Sequence, residues 1–355
     1  MGKIIIRLIV AFGILVLLAG CFKGEQSSKE VDPPQNAEAV NGEEAADEEA
    51  TDEEDAAAAP EEDTVSRELY LIDSNGMVAS QMIDLPVPEE NQVAQQVVEY
   101  MVKGGPVTPM LPNGFQAVLS EDTEVLGIDL QEDGTIVVDL SGDFSEYEAS
   151  SELPILEAVT HTLTQFDNVH KVKLRVDGVD LKEMPVNGTP INNGYTRANG
   201  INLTNNDTLD YFNSSPVTMY YPAEQENNRY YVPVTQYVEM EDEKDITGVI
   251  NELINGPGYQ NQVVNVFSPE AALTEDPVIE EGVANLTFNE GILMDAEQHI
   301  ISDEVMETVV RTLTERPEID AVNVQVENVD EVFNENGEPY SAPVSAQLFT
   351  PSEEL

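Results

Sequence analysis

Three histidines, at positions 161, 170 and 299, are the side chains best suited to move protons near neutral pH. The apolar periodicity places His161 within a long helix, His170 in the turn before a strand, and His299 just ahead of a second long helix. They therefore do not recur at matching positions, which argues against a joint metal or catalytic site. Cys21 is the only cysteine, so the chain beyond it has no thiol nucleophile.

Other motifs of enzyme chemistry are missing from the sequence. It contains no G-x-S-x-G elbow and neither a G-x-x-x-x-G-K nor a G-x-G-x-x-G loop, so no serine hydrolase or nucleotide site is indicated. Asp139 and Asp143 could form a glycosidase pair only if an apolar pocket raised the pKa of one of them. Among 69 Asp and Glu residues, a solvated acidic face explains the pair better. We predict a protein that is not an enzyme and needs no cofactor or metal.

The charge balance is strongly acidic, with 69 Asp and Glu against 15 Lys and Arg and a formal net charge of -54. This excess excludes nucleic acid as a partner, because phosphate backbones are bound through Lys and Arg. It also disfavours adsorption to anionic lipids or wall polymers. Repulsion of this size is tolerated best in a salt-rich medium, where the screening length shrinks to about 3 Å at 1 M. The alternative is that the acidity only keeps the protein in solution.

The first 20 residues are typical of a secretion signal. Lys3 and Arg7 form a positively charged start, and an apolar run follows from Ile9 to Ala19. Leu18-Ala19-Gly20-Cys21 matches the lipobox of bacterial lipoproteins, where the cysteine sulfur receives a diacylglycerol. We therefore predict a signal peptide at 1–20 and a lipid-modified Cys21 that holds the chain to the bilayer. The alternative, a plain transmembrane anchor, falls short of the roughly 20 apolar residues that a spanning helix needs.

Residues 21–66 are expected to form a disordered tether. Most residues of 38–63 are acidic residues and alanines, and no Lys or Arg stands between Lys29 and Arg67. Such a segment repels itself and has nothing to bury. The tether would lift the rest of the chain away from the membrane.

The remaining chain repeats itself. The window TLTQFDNVHKVKLRV at 162–176 aligns without a gap to TLTERPEIDAVNVQV at 312–326, 150 positions later. Both windows have the pattern of a helix end, a short turn and an alternating strand. Val98–Gly104 aligns with Ile250–Gly256 in the same way. Two copies of one folding unit are therefore predicted.

Each copy is predicted to have the order ββαββαβ. In the first copy, Asn75-Gly76 and Asp133-Gly134 indicate two hairpins, and an apolar stripe from Leu156 to Phe166 indicates a helix that packs on a sheet. The order predicts an α+β fold of two tandem similar domains, each a small mixed β-sheet with two helices on one face. The predicted bounds are 67–195 and 216–350 for the domains and 196–215 for an Asn-, Thr-, Ser- and Gly-rich linker.

Two helix ends carry recognisable residues. The first helix of the first copy is expected to run to Gly104-Gly105-Pro106, because glycine and proline stop helices. The long helix of the second copy is expected to begin at Ser302 as its cap, with Asp303 and Glu304 in its first turn.

Five tyrosines gather in the predicted opening hairpin of the second copy. Tyrosine is enriched at protein interfaces, where its ring is buried and its hydroxyl keeps a polar partner, but it is equally a good strand residue. This cluster is the first candidate for a partner surface. The closing strands 171–177 and 321–327 are the second, because an exposed sheet edge can pair with a partner. The tyrosines are Tyr220, Tyr221, Tyr230, Tyr231 and Tyr237.

The lipobox, the acidic tether and the duplicated unit together resemble the GerM family of sporulation and germination lipoproteins. The resemblance is carried by the helix end Val102–Pro106 with its counterpart Ile254–Pro257, by the strand Val137–Phe144, and by the repeated windows above. It covers about Arg67–Pro190 and Val217–Pro343. The second copy departs from the pattern at Leu286–Asn289, so a shared role for this strand end is not implied.

The resemblance implies a role without catalysis. Members of this family are lipoproteins on the outer face of the mother-cell membrane, where they support assembly of the channel that links mother cell and forespore. Their tandem GerMN domains resemble ring-building motifs, which assemble side by side. This implies envelope and channel proteins as partners, or an oligomer or ring of the chain itself.

Three classes of function stay open at this point. The first is a lipid-anchored scaffold that binds other envelope proteins in sporulation or germination. The second is a module that binds or remodels cell-wall peptidoglycan, which the absence of Trp platforms for saccharides disfavours. The third is a solute receptor with its ligand between the domains, although the lobes of such receptors are commonly linked by several chain crossings and a tandem repeat has one.

Overall fold

The structure is a computed structural model that describes residues 63–88, 92–203, 214–225, 228–240, 246–257 and 263–349. All of these residues belong to one compact unit. The predicted order ββαββαβ is present in both copies, and the fold is α+β with two similar tandem domains.

The first copy combines a separate hairpin with a mixed sheet. Its elements are β1 (Thr64–Ile72), β2 (Val78–Pro86), α1 (Val93–Glu99), β3 (Val125–Leu130), β4 (Thr135–Leu140), α2 (Glu152–Leu163), β5 (Lys171–Val176) and β6 (Val179–Asp180). Strands β1 and β2 form a two-stranded antiparallel sheet. The other strands form a four-stranded sheet in the order β3-β4-β5-β6, in which only β4 and β5 are parallel. The helix α2 makes the crossover between these two parallel strands.

The second copy repeats this arrangement. Its elements are β7 (Ser214–Gln225), β8 (Asn228–Glu239), α3 (Thr247–Asn255), β9 (Val278–Glu280), β10 (Val283–Phe288), α4 (Asp303–Thr314), β11 (Ala321–Val326) and β12 (Val344–Ser345). Strands β7 and β8 again form a hairpin, and the four-stranded sheet has the order β12-β11-β10-β9 with β10 and β11 parallel.

Turn chemistry sets the first hairpin. The Asp73 Oδ1 atom accepts hydrogen bonds from the backbone N–H groups of Asn75 at 2.8 Å and Met77 at 2.9 Å. Gly76 adopts a φ of +80°, a backbone region that glycine enters without a steric penalty. The Asn-Gly pair therefore forms the turn between β1 and β2, as predicted.

The two long helices supply the core of each copy. The apolar face of α2 buries Ile155, Leu156, Val159 and Leu163, and the helix packs against β1 and β5. The corresponding face of α4 packs against β7 and β11. Each fully buried Val, Leu or Ile side chain stabilises the fold by roughly 1.5–3 kcal/mol. The buried residues of both copies form one continuous hydrophobic cluster.

The fold departs from the prediction in three respects. Helix α1 ends at Glu99 rather than near Gly104, because residues 100–105 follow in turns and the Lys103 N–H donates to the Leu119 carbonyl at 3.1 Å. Each opening hairpin forms a sheet of its own instead of joining the mixed sheet. The two-residue strands β6 and β12 were not predicted, because segments of this length have no periodicity.

A buried carboxylate fixes the start of α2 to a loop. Glu152 is 0% exposed, and its carboxylate accepts hydrogen bonds from the Tyr147 hydroxyl and from groups of the loop 186–189. The shortest loop contacts come from the Asn187 N–H at 2.6 Å and the Thr189 hydroxyl at 2.6 Å. Burial alone would raise the pKa of Glu152, but the hydrogen bonds outweigh it and hold that pKa below its usual value.

The second copy fixes the start of α4 to its loop with a carboxylate on each side. Glu335 Oε1 of the loop accepts the backbone N–H of Asp303 at 3.0 Å and the Ser302 hydroxyl at 3.1 Å. Asp303 Oδ1 of the helix accepts the Glu335 N–H at 3.3 Å and the Tyr340 hydroxyl at 3.4 Å. Ser302 therefore stands at the N-cap, as predicted, but its hydroxyl donates to Glu335 instead of capping the helix.

Candidate functional site at the junction of the two copies

The junction between the copies is centred on two equivalent tyrosines. Tyr70 of β1 and Tyr220 of β7 are 150 positions apart, and their hydroxyl oxygens lie 3.4 Å from each other. The Tyr70 N–H donates to Thr162 Oγ1 at 2.9 Å, and the Tyr220 N–H donates to Thr312 Oγ1 at 3.0 Å. A residue that contacts its own counterpart marks an isologous contact. An approximate two-fold axis therefore passes close to the two hydroxyl groups.

The segment between the copies joins their hairpins, which contact each other through β2 and β8. The Asn202 side-chain amide donates to the carbonyl oxygens of Val78 at 2.6 Å and Pro233 at 2.8 Å. Its oxygen accepts the Val78 N–H at 2.9 Å. One side chain from the predicted linker thus binds β2 of the first copy and β8 of the second.

A second contact between the copies involves Asp73, the aspartate of the first turn. The Tyr230 hydroxyl donates to Asp73 Oδ2 at 3.0 Å, while Asp73 Oδ1 holds the turn. The Tyr230 ring packs edge-on against Phe115, with 4.8 Å between ring centroids. Burial and the charge of Asp73 raise the pKa of Tyr230, so its hydroxyl stays protonated and can donate.

Arg197, also from the segment between the copies, is the centre of a charged network. Its Nη1 donates to Glu315 Oε1 at 2.6 Å, its Nε to Thr164 Oγ1 at 2.8 Å and its Nη2 to the His161 carbonyl oxygen at 3.3 Å. Burial alone would lower the pKa of Arg197, but the negative charge of Glu315 keeps that pKa well above its usual value. The guanidinium therefore stays charged and joins both copies.

The two central tyrosines belong to the same network. The Tyr220 hydroxyl donates to Glu315, and the Arg197 guanidinium carbon lies 6.0 Å from the centroid of the Tyr70 ring. Burial raises the pKa of both phenols, and the nearby carboxylates of Glu68 and Glu315 raise them further. Both tyrosines therefore remain neutral hydrogen-bond donors.

Arg311 of α4 forms the other half of the network. Its Nε donates to Glu307 Oε1 at 2.7 Å, and its Nη1 lies 3.6 Å from Glu68 Oε1 of the first copy. The guanidinium also stacks over the Tyr231 ring at 5.0 Å from the centroid. The Arg311 and Glu68 side chains are only 11% and 6% exposed, so this ion pair between the copies is largely shielded from water.

A cavity of about 630 Å³ opens over the network. Its lining includes the charged and phenolic side chains described above, with the exposed Asp167 and Asp320 among its other residues. The cavity offers guanidinium, carboxylate and phenol groups, so its chemistry suits the binding of a polar or charged group. The network residues that line it are Glu68, Tyr70, Arg197, Tyr220, Arg311 and Glu315.

Comparison with known proteins gives this architecture its family. The model of the Germane family, described as sporulation and spore germination, matches residues 68–182 and 218–331, one segment in each copy. The chain belongs to the Germane family. The spore germination protein GerM of Bacillus subtilis (strain 168) is 43% identical over 342 residues, which cover 93% of this chain and 93% of that protein.

A solved structure has the same fold. The tandem GerMN domains of the sporulation protein GerM from Bacillus subtilis match with a TM-score of 0.73 and 45% sequence identity, covering 79% of this chain and 98% of that chain. The expected resemblance to the GerM family and the tandem α+β fold are both confirmed.

In this Germane chain, four of the five predicted interface tyrosines are buried. Tyr220, Tyr221, Tyr230 and Tyr231 are between 0% and 7% exposed. Three of them, at 220, 230 and 231, contact residues at the junction. The cluster thus serves an internal interface, and only Tyr237 is half-buried. The closing strands β5 and β11 are not the outermost strands of their sheets, because β6 pairs with residues 175–176 of β5 and β12 with residues 321–322 of β11. Their use as a partner surface stays a prediction.

The structure does not bring the three histidines together at the network. His161 is buried beside the Tyr70 ring, with 5.1 Å between centroids, and burial followed by the charge of Arg197 lowers its pKa well below the usual value. The carboxylates of Asp139 and Asp143 make separate hydrogen bonds, to Gly178 N at 3.0 Å and with the Ser141 hydroxyl at 3.2 Å. Within the described ranges, no group of three or more His, Cys, Asp and Glu side chains could hold a metal ion.

The predicted signal peptide at 1–20, the lipidation site Cys21 and nearly all of the tether at 21–66 lie outside the residues that the structure describes. Among the helices in the described part, none is long and apolar enough to cross a bilayer.

Sequence reasoning missed Arg197 and Asn202, two residues of the intervening segment that contact both copies. Both lie in the segment 196–215, whose composition is typical of a loose linker. One signal could have pointed to a specific ion pair. Arg197 is a basic residue in a chain that has only 15 Lys and Arg.

Proposed function

We propose that this chain is a lipid-anchored scaffold that binds other envelope proteins outside the cytoplasmic membrane of the sporulating cell. In this role it supports assembly of the channel between mother cell and forespore and catalyses no reaction. The similarity to GerM, which is a sporulation and spore germination protein of Bacillus subtilis, supports the cellular setting. The lipobox ending at Cys21 supports the anchor.

The observation that carries the scaffold role is the docked junction. Strands β2 and β8, the Asn202 bridge and the paired tyrosines 70 and 220 bind the two copies into one compact unit. Two similar domains are thereby presented in a fixed relation. A partner that contacts both domains then avoids much of the entropy cost of ordering them, which favours a binding role for the pair.

Proximity labelling in sporulating cells tests this role. A labelling enzyme is fused to the carboxyl end of the full chain, and the labelled proteins are compared with those from the Cys21→Ser variant, which keeps the folded domains but has no site for the lipid. We expect channel and envelope proteins to be enriched with the wild-type chain and depleted with the variant. An identical set of labelled proteins from both chains would contradict the anchored scaffold.

Purified peptidoglycan tests the absence of catalysis. The full-length chain in detergent is incubated with peptidoglycan, and soluble muropeptides are measured by chromatography and mass spectrometry. We expect no release above a heat-denatured sample. Release of fragments would replace the scaffold with a wall-remodelling enzyme.

A further inference from the structure

Two carboxylates in the junction cavity have unused capacity to accept hydrogen bonds. Arg197 Nη1 and the Tyr220 hydroxyl both bind the same oxygen of Glu315, Oε1. In the described part of the chain, Oε2 of Glu315 has no hydrogen-bond partner. Among the described residues, the Glu68 carboxylate contacts only Arg311, in an ion pair at 3.6 Å that is too long for a hydrogen bond.

Both carboxylates face the cavity. Their side chains are 6% exposed for Glu68 and 19% exposed for Glu315, and none of their oxygens is a buried atom without a hydrogen-bond partner, so the unpaired oxygens are open to the cavity. A charged N–H donor in the cavity would form a charge-assisted hydrogen bond with such an oxygen. The cavity therefore has acceptors that a ligand with N–H groups would satisfy.

The guanidinium groups of the cavity are occupied by the protein itself. Arg197 uses Nε, Nη1 and Nη2 in contacts within the chain. Arg311 is held by Glu307, Glu68 and the Tyr231 ring. The lining has four carboxylates, at positions 68, 167, 315 and 320, against these two guanidinium groups. The excess is two negative charges, in a chain whose net charge is -54, so the cavity attracts cations.

We propose that the junction cavity is a binding site for an organic ammonium group, carried by a small diamine or by a lysine side chain of a partner protein. About 630 Å³ holds on the order of 20 water molecules, so a five-carbon diamine fits. Glu68 belongs to the first copy and Glu315 to the second, so the ligand would contact both copies and stabilise their docked arrangement. The site does not depend on the scaffold role proposed above.

Isothermal titration calorimetry of the full-length chain in detergent tests the site. The probes are 1,5-diaminopentane for a free diamine, Nα-acetyl-lysine amide for a protein side chain, and glutarate as an anion of similar length. A buffer with about 0.5 M salt suppresses diffuse binding of cations to the acidic surface. The variants are Glu68→Gln inside the cavity, Asp320→Asn at an exposed lining position, and Glu132→Gln as a matched control. Glu132 is an exposed carboxylate of the β3–β4 turn that does not line the cavity.

In the wild type and in the Glu132→Gln control, we expect saturable binding of an ammonium probe with a stoichiometry of one molecule per chain. Glu68→Gln should weaken it roughly tenfold or more, the loss typical of one charge-assisted hydrogen bond. Asp320→Asn, which leaves the buried network intact, should weaken it less and keeps the test valid if Glu68→Gln fails to fold. The tighter of the two ammonium probes identifies the source of the group.

Three results would overturn the proposal. The first is heats no different from dilution for both ammonium probes. The second is unchanged affinity in a folded Glu68→Gln variant or, if that variant does not fold, equal affinities in the Asp320→Asn and Glu132→Gln variants. The third is saturable binding of glutarate in place of the ammonium probes.

Discussion

Replacing Glu157 with glutamine should stabilise this protein at neutral and alkaline pH. Glu157 lies on α2 and is 5% exposed, and its Oε2 accepts the Asn202 N–H at 3.2 Å. Burial raises the pKa of Glu157 from 4.5 to about 7, and the Asn202 hydrogen bond offsets only part of that rise. The carboxyl is therefore most favourable to the fold when it is protonated.

The magnitude follows from linkage between protonation and folding. The raised pKa means that the folded chain binds more protons than the unfolded chain between about pH 4.5 and 7, so stability falls as the pH rises through this window. A change of pKa from 4.5 to about 7 corresponds to about 3 kcal/mol. Glutamine keeps an oxygen for the Asn202 N–H but carries no charge. Its gain over glutamate should be about 3 kcal/mol near pH 8 and under about 1 kcal/mol near pH 5.

Urea unfolding of the full-length chain in detergent, followed by circular dichroism at about pH 5 and pH 8, measures both values. The matched control is Glu307→Gln, since Glu307 occupies the equivalent position 150 residues later. The Glu307 carboxylate accepts a hydrogen bond from Arg311 Nε at 2.7 Å. The unfolding free energy of this variant should therefore fall by about 2 kcal/mol. If Glu157→Gln gave the same change in unfolding free energy at both pH values, the carboxyl would not be paying a burial cost, and the reasoning would fail.

Three further changes test the joints described above. Glu152→Ala removes the acceptor of five hydrogen bonds and should lower the unfolding free energy by about 3–5 kcal/mol. The pKa of Glu152 is lowered, so the stabilisation from its charge is present at neutral pH and is lost as the pH falls through the folded-state pKa. The Glu152→Gln variant should abolish this acid dependence in a pH series of urea unfolding curves. Arg197→Met leaves Glu315 without its ion pair and should cost about 2 kcal/mol by urea unfolding, discounted for the partial exposure of both groups; no change would show that the pair contributes nothing. Asn202→Ala deletes three hydrogen bonds and should cost about 2–3 kcal/mol, with faster amide hydrogen exchange in β2; unchanged exchange would mean that the bridge does not hold the hairpins.

The elements of the fold could be predicted because their signals lie in neighbouring residues. The Asn75-Gly76 turn and the apolar stripe of α2 each involve a few positions along the chain, and both elements are found where they were predicted. The repeat between 162–176 and 312–326 then predicted the second copy from the first. Local turn chemistry and periodicity do not depend on how distant parts of the chain meet.

The candidate site could not be predicted, because it is made by contacts between distant residues. Arg197 and Glu315 are 118 positions apart, and Tyr230 and Asp73 are 157 apart. Single polar residues such as Asn202 have no periodicity that would distinguish a bridge from a loop. The tyrosines were recognised as interface residues, but their pattern is the same whether the interface lies inside the chain or faces a partner.

The different groups at the two helix–loop joints have a consequence for how the duplicated chain folds. Neighbouring domains of similar sequence can exchange segments during folding. Position 152 holds a glutamate whose carboxylate accepts five hydrogen bonds, whereas the equivalent position 302 holds a serine whose hydroxyl donates to Glu335. If α2 docked on the loop of the second copy, the carboxylates of Glu152 and Glu335 would repel each other. We therefore expect this mismatch to disfavour the exchange of α2 between the copies.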